Sequence, residues 1–430
     1  MTVRQRLHWL TLHGVIRALT TVGARRGDLQ GRLIADPAAR ANPGEFSDEI
    51  RSHGRLARAR AAWLTADHAV VHQVLRSDDF AVTTSGNSLP SLLGRIEERL
   101  RARDRMHPLL PPSLLSVEPP DHTRYRKTVS SVFTARAVAA LQERIESTAA
   151  ELIKDLDGES GVVDIVERYC SQLPVTVIGD ILGVPEHDRP KILQYGELAA
   201  PSLDIGLSWP QFLRVEEGLH SFTEWLTQHI RELRASPGDD LMSQLIDAND
   251  DGTRLDDSEL LATAGLVLAA GFETTVNLLG NGIELLLRHP DQLDVLREQP
   301  EVWPNAVEEI LRLESPVQLT ARIALADNEI AGHTIRAGDS VVLYLAGANR
   351  DPDVFPNPHA FDVTRDNAGR HLSFSGGRHF CLGAALARSE GAVGLRTFFD
   401  RYPDPTLAAG GRRRDTRVLR GWATLPVDLG

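Results

Sequence analysis

The stretch Leu260–Leu287 constrains this chain more than any other. It carries no charge from Leu260 to Phe272 and then meets Glu273, Asn277, Asn281 and Glu284. Ala and Leu recur at helical spacing, which predicts one long helix over Ser258–Arg288, with Asp256 or Asp257 as its cap and His289-Pro290 as its end. Crossing a bilayer takes ~20 apolar residues in a row, and the polar side chains interrupt this run too soon. A helix so apolar has to be wrapped by others, so the expectation is a fold built around it. With 430 residues, 42% of them hydrophobic, the chain can bury a large core and a sizeable ligand. A prior of ~150 residues per domain would suggest about three domains. No Gly/Ser tether and no internal repeat divides the sequence, so 1–430 reads as a single domain, mainly α with a small β region.

Other helical patterns run over Ala137–Leu156, Phe212–Arg234, Asn305–Leu313 and Leu382–Tyr402. Strand signals gather between Ala321 and Leu345, at Arg322–Ala326, Glu329-Ile330, His333–Ile335 and Ser340–Leu345, separated by Ala331-Gly332 and Ala337-Gly338-Asp339. A shorter pair is expected near Arg58–Thr65. Val82–Pro120 and Asn349–Ser373 read as long functional loops, the first with a charged helical turn or two at Arg95–Arg105.

A net charge of −12 argues against nucleic acid as a partner, because phosphate binding needs a concentrated basic surface. Cys170 and Cys381 are too few and too far apart for a secreted disulfide scaffold or a zinc finger. Cys170 reads as a buried helical residue. The leading stretch Leu7–Val22 is broken by His8, His13 and Arg17 and lacks a cleavage site, so it does not resemble a secretion signal. Residues 1–33 are expected to form an amphipathic segment packed on the body, with loose membrane-surface contact as the alternative. No integral membrane span is expected, and the expected location is the cytoplasm.

The chemistry concentrates in Phe374-Ser-Gly-Gly-Arg-His-Phe-Cys-Leu-Gly383, followed at once by a helical pattern. Gly376, Gly377 and Gly383 let the backbone turn and approach a flat ligand. Cys381 stands where a helix begins, and unpaired N–H groups there favour a thiolate, the proximal ligand a haem iron needs to split oxygen. A Gly-rich turn around a core cysteine, or a nucleophilic cysteine with His379 as base, fits the same ten residues. Elsewhere, Thr274 alone reads as a back-bonding helical hydroxyl and Glu273 as a paired or solvated charge. Gly271, inside the long helix at a cost of about 1 kcal/mol relative to Ala, suggests close approach of a ligand.

The segment resembles the haem-binding loop of the cytochrome P-450 superfamily, matching Phe-x-x-Gly-x-(His/Arg)-x-Cys-x-Gly at every fixed position. Three further marks occur upstream in that family's order. Ala270-Gly271-Phe272-Glu273-Thr274-Thr275 resembles the oxygen-activation motif, in which Glu273 and Thr274 would be the acid–alcohol pair that relays protons and steadies bound oxygen. Glu309-Ile-Leu-Arg312 matches Glu-x-x-Arg, a structural pair three apart on one helical face. Arg350 and Arg365 are both candidates for its third member. Glu118-Pro-Pro-Asp-His-Thr-Arg-Tyr-Arg126 resembles the start of the helix flanking the haem, and His122, Arg126, Arg322 and His379 match positions that hold the propionates. Ser375 departs from the pattern, since glycine is commoner there. The resemblance runs from about Ile34 onward, and its wording is similar to the mycobacterial family numbered one hundred and forty.

The resemblance implies a cytochrome P-450 fold with the long central helix across the haem. It implies haem b ligated by Cys381, in contact with Ala270, Gly271, Phe374, Gly376 and Gly383. The implied activity is a monooxygenase that inserts one atom of O2 into a C–H or C=C bond. Electrons would come from a ferredoxin and its NAD(P)H-dependent reductase, docking where Arg124, Lys127, Arg378 and Arg388 could form a basic patch. The pocket positions, Ser85–Pro112, Pro201–Phe212, Leu266, Ala269, Ala270 and Val317–Thr320, are apolar enough for a lipid, a sterol-like molecule or a polyketide. Basic residues of Arg95–Arg105 are a candidate for meeting a polar end of the substrate. A haem sensor, a haem isomerase and a haem-free cysteine hydrolase are the competing readings.

Overall fold

The computed structural model describes residues 3–83, 99–100, 105–130, 133–159, 161–247 and 255–430. At its centre a helix runs from Asp257 to Arg288. Asp256 caps it through the Ser258 and Glu259 N–H groups, and Glu259 reaches back to the Asp256 N–H, so two orphan donors are satisfied reciprocally. Its end falls at His289, before Pro290. The helices Gln172–Ile181, Trp209–Ala235, Trp303–Leu313 and Ala384–Arg401 pack around it, and one large apolar cluster holds them together. It is the one helix among the described residues long and apolar enough to cross a membrane, and most of its apolar window is buried inside the protein. The expected helix over 137–156 is divided into Ala135–Ala140 and Gln142–Leu156.

A five-stranded sheet lies beside the helices, ordered Ala57–Arg58, Trp63–Thr65, Ser340–Tyr344, Leu319–Ala324 and Phe80–Val82. Trp63–Thr65 pairs parallel with Ser340–Tyr344, and the other pairs are antiparallel. Its faces bury two separate clusters, one with Val71 and Leu343, the other with Phe46 and Leu64. The strands Phe80–Val82, Val162–Asp164 and those after Thr406 lie outside the region where the sequence concentrated its strand signals. They are two or three residues long, too short for an alternating pattern to show. The stretch 349–373 is irregular, with one short 3-10 turn at Ala368–Arg370, yet much of it is buried. Most of Arg95–Arg105 lies outside the described residues.

Candidate active site

Cys381 sits in a tight loop ahead of the helix Ala384–Arg401. The loop closes on itself: the Cys381 N–H donates to the Phe374 carbonyl at 2.9 Å, Ser375 N–H to Leu372 at 2.8 Å, and Phe380 N–H to Gly377 at 3.2 Å. Gly377 carries the turn, with φ of 64°, and a Cβ there would stand 2.2 Å from the Leu75 carbonyl oxygen. Gly376 does not share this demand. Its backbone is extended, and a Cβ would make ordinary contact with Leu75. Of these two expected glycines, Gly377 alone is required by the turn. Ser375 also has a positive φ, 62°, and its hydroxyl is buried without a partner. Serine there is held in a conformation that favours glycine.

The helix terminus was expected to favour a Cys381 thiolate. Instead burial dominates and pushes the thiol up, while the Gly383 N–H, Arg126 and Arg388 act in the opposite direction. A part-buried cysteine among apolar side chains, with guanidinium groups nearby, is suited to giving up its proton on binding a cation.

On the central helix, Leu266, Ala270 and Thr274 share one face, spaced by four. Ala270 is exposed and the other two half-exposed, whereas Leu268, Phe272 and Val276 on the remaining faces are buried. An accessible strip midway along a buried helix marks a space inside the protein. Thr274 Oγ1 donates to the Ala270 carbonyl at 3.1 Å, which bends or loosens a helix locally. Gly271 does not face that strip. Its missing Cβ would lie 2.8 Å from Ile178, so glycine is needed here for helix-on-helix packing rather than for ligand approach.

Glu273 is buried, and burial pushes its pKa up against the pull of Arg414, whose Nη1 lies 3.4 Å away. Its Oε1 has no hydrogen bond. Arg414 is held by the Trp422 carbonyl at 3.2 Å. Nothing in the run Arg412-Arg413-Arg414 marked this residue, because the contact depends on the chain returning to the central helix 141 positions after Glu273.

His122 and His379 stack tilted at 4.3 Å, and the Nε2 atoms of both are buried without a hydrogen bond. Burial, with His379 and Arg126 close by, lowers His122 to about 4. Arg322 is buried beside them and spends its bonds on Thr320 Oγ1 and the Ala321 carbonyl, both at 2.9 Å. Glu118 completes the group. Arg378 donates to it at 3.0 Å, Val82 N–H at 2.7 Å, and His379 Nε2 lies 3.4 Å away without bonding geometry. Burial would raise this carboxyl, but His379, the Val82 amide and Arg378 outweigh it and hold it at about 2. Two buried imidazole nitrogens without a partner, beside the buried Arg322 and the part-buried Arg126, are chemistry that can hold carboxylates, so this cluster fits the propionates of a haem.

Below, Glu309 and Arg312 are fully buried and joined by two bonds of 2.6 and 2.8 Å. Arg365 supplies the third member, at 3.1 Å from Glu309. Arg350 belongs elsewhere: it faces Glu314 at 3.5 Å, together with Arg413 and Arg420. Of the expected docking patch, Arg124 pairs with Glu259, Arg378 with Glu118 and Asp78, and Arg388 with Glu308. Those three charges are each paired within the chain, at partly exposed positions. Glu390, on the helix after the loop, is a group the sequence reading missed. Both its oxygens are buried without a hydrogen bond, and burial pushes it up to about 8 against the Thr275 hydroxyl. A lone acid on the apolar face of a helix was the available signal.

The family described as Cytochrome P450 matches residues 107–403. A "Putative cytochrome P450 140" of Mycobacterium tuberculosis is 63% identical over 431 residues, covering 100% of this chain and 98% of its own. The "6-deoxyerythronolide B hydroxylase" of Saccharopolyspora erythraea is 44% identical over 319 residues, covering 73% of this chain and 76% of its own. Among solved structures, a myxobacterial cytochrome P450 in complex with myristic acid superposes with a TM-score of 0.82 at 32% identity, covering 92% of this chain and 98% of the other. The fold and the cysteine loop define a haem-thiolate protein. The chain belongs to the cytochrome P450 family, and it is a monooxygenase that uses O2 and electrons from a redox partner.

Proposed function

We propose that the chain acts as one domain, binding haem b and oxidising an apolar molecule of lipid or polyketide type. The observation that carries the site is the placing of Cys381 in a closed loop packed on the same core as a helix whose only accessible midsection is Ala270 and its neighbours. Cys381 would hold the iron, and His122, Arg126, Arg322 and His379 the propionates. Bound haem supplies the activation of oxygen and the oxidising power. The protein's own part is positional. Ala270 and Thr274 line the accessible strip, and the Thr274 hydroxyl, released from the Ala270 carbonyl, can donate or accept there. Glu273, kept from ready ionisation by burial and held in reach of Arg414, is suited to carry a proton inward.

The substrate class rests on the apolar strip and on relatives' names: a polyketide biosynthesis cytochrome P450, a vitamin D(3) 25-hydroxylase, and a structure holding myristic acid. The electron donor is proposed to be a ferredoxin served by an NAD(P)H-dependent reductase, in the cytoplasm. The pairing of Arg124, Arg378 and Arg388 leaves the docking face to be found by reduction kinetics. The reduced protein with carbon monoxide is expected to show the strongly red-shifted Soret band of thiolate ligation, lost in Cys381→His. A band at the position typical of histidine ligation in the parent protein would overturn the assignment. Thr274→Ala is expected to leave that band in place and to divert electrons from product; unchanged coupling would remove Thr274 from the relay.

A further inference from the structure

Residues 3–25 form two helices, Val3–Trp9 and Val15–Arg25, joined by a π-helical turn at Leu10–Gly14. Their inner side is tied to the body. His8 and His13 meet the Phe212 ring at 5.6 and 5.5 Å, Trp9 Nε1 donates to the Leu207 carbonyl at 3.0 Å, and Arg17 donates to Gly206 at 3.2 Å. Their outer side is apolar. Val3, Leu7, Leu10, Val15, Leu19 and Val22 make up six of the eleven large apolar side chains exposed among the described residues. They follow one another at intervals of four, three, five, four and three. The interval of five falls across the π turn, whose wider i→i+5 winding returns Val15 to the face left by Leu10. The stripe therefore stays on one side through both helices.

The charge of this segment is opposite to that of the whole. Arg4, Arg6, Arg17, Arg25 and Arg26 are exposed, and no acidic residue precedes Asp28, in a chain of net charge −12. An apolar stripe flanked by arginines, on helices anchored by their other face, has the form of an interfacial helix. We propose that this segment seats the enzyme on an anionic lipid surface, with the stripe in the headgroup boundary and Arg6, Arg25 and Arg26 on lipid phosphates. A second copy of the chain fits less well. A two-fold contact through this stripe would bring each copy's arginines against the other's, whereas an anionic bilayer neutralises them. The inner side of the same segment contributes His8, Leu12 and His13 to the wall of a cavity shared with Met106 and Phe212.

The test is co-sedimentation of the full-length, haem-loaded protein with vesicles of equal parts phosphatidylglycerol and phosphatidylcholine, against vesicles of phosphatidylcholine alone. Binding is expected to be about tenfold stronger to the anionic vesicles and to weaken with salt. The triple variant Leu7→Glu, Leu10→Glu, Leu19→Glu is expected to lose about tenfold of that binding with its carbon monoxide spectrum intact. If the triple variant misfolds, reversing the exposed Arg6 and Arg25 to Glu serves the same purpose. Leu325→Glu, exposed elsewhere, is expected to bind as the parent does. No retention on the anionic vesicles, or equal retention of parent and variants, would overturn the proposal. So would a concentration-dependent dimer that the triple variant abolishes, which would assign the stripe to a second copy.

Discussion

Two buried polar regions of this protein are built on opposite principles. Around Glu309, the carboxylate takes both arginine bonds, and Arg312 spends its remaining donors on the carbonyls of Asn349, Pro358 and Ala360 at 2.8–3.0 Å. Around the central helix, His122, His379, Glu273 and Glu390 each keep a buried atom with no hydrogen bond. A satisfied network deep in a core fixes one arrangement of the backbone around it. Unspent donors and acceptors cost stability and are retained where something else is to be bound or moved. The contrast separates what holds the loop in place from what works beside it.

The largest effect is expected on the satisfied side. Arg312→Ala leaves Glu309 with Arg365 as its one remaining arginine and takes the donor from the Asn349 and Pro358 carbonyls, and should cost about 3–5 kcal/mol. Urea unfolding of the parent and variant checks this; a loss under about 1 kcal/mol would erase the contrast. Glu390→Gln should behave in the opposite way. The folded side chain ionises at about 8 and the unfolded one near 4.5, so its contribution is complete below 4.5 and is lost as pH rises toward 8. The variant should therefore be more stable than the parent at pH 8, by up to about 4 kcal/mol, and no more stable at pH 4.5. A gain that does not change with pH would assign the effect to packing.

His122→Phe removes an unpaired nitrogen and keeps a ring against His379. The apoprotein is expected to gain up to about 1 kcal/mol, while haem is lost to a scavenging globin roughly tenfold faster. A variant that loses both stability and haem, or changes in neither, would show that the site is not held at the expense of stability. The smallest effect belongs to Ser375→Gly, which relieves a positive φ and an orphaned hydroxyl. It should stabilise the protein by about 1 kcal/mol, measured by the shift in its unfolding midpoint, without moving the haem spectrum.

The central helix with its Asp256 cap and the one-face spacing of Glu309 and Arg312 were legible from the residues themselves, whereas the reading of the cysteine loop and of the residues at 122, 126, 322 and 379 came from their resemblance to a family pattern. A cap or a pair three apart depends on neighbours within about ten residues, and local chemistry of that range is written in the chain. The sequence also determined that Leu260–Leu287 must be buried, since nothing else can cover so apolar a helix. The choice of Arg365 over Arg350 was not legible, because both lie at comparable distances along an irregular stretch and only its folding sends one to Glu309. Nor was the reason for Gly271, which serves Ile178 across a helix crossing, or the arrival of Arg414 at Glu273. Those outcomes rest on contacts between residues far apart in the chain, and tertiary packing alone decides which buried charge meets which partner, and which is left waiting for a ligand.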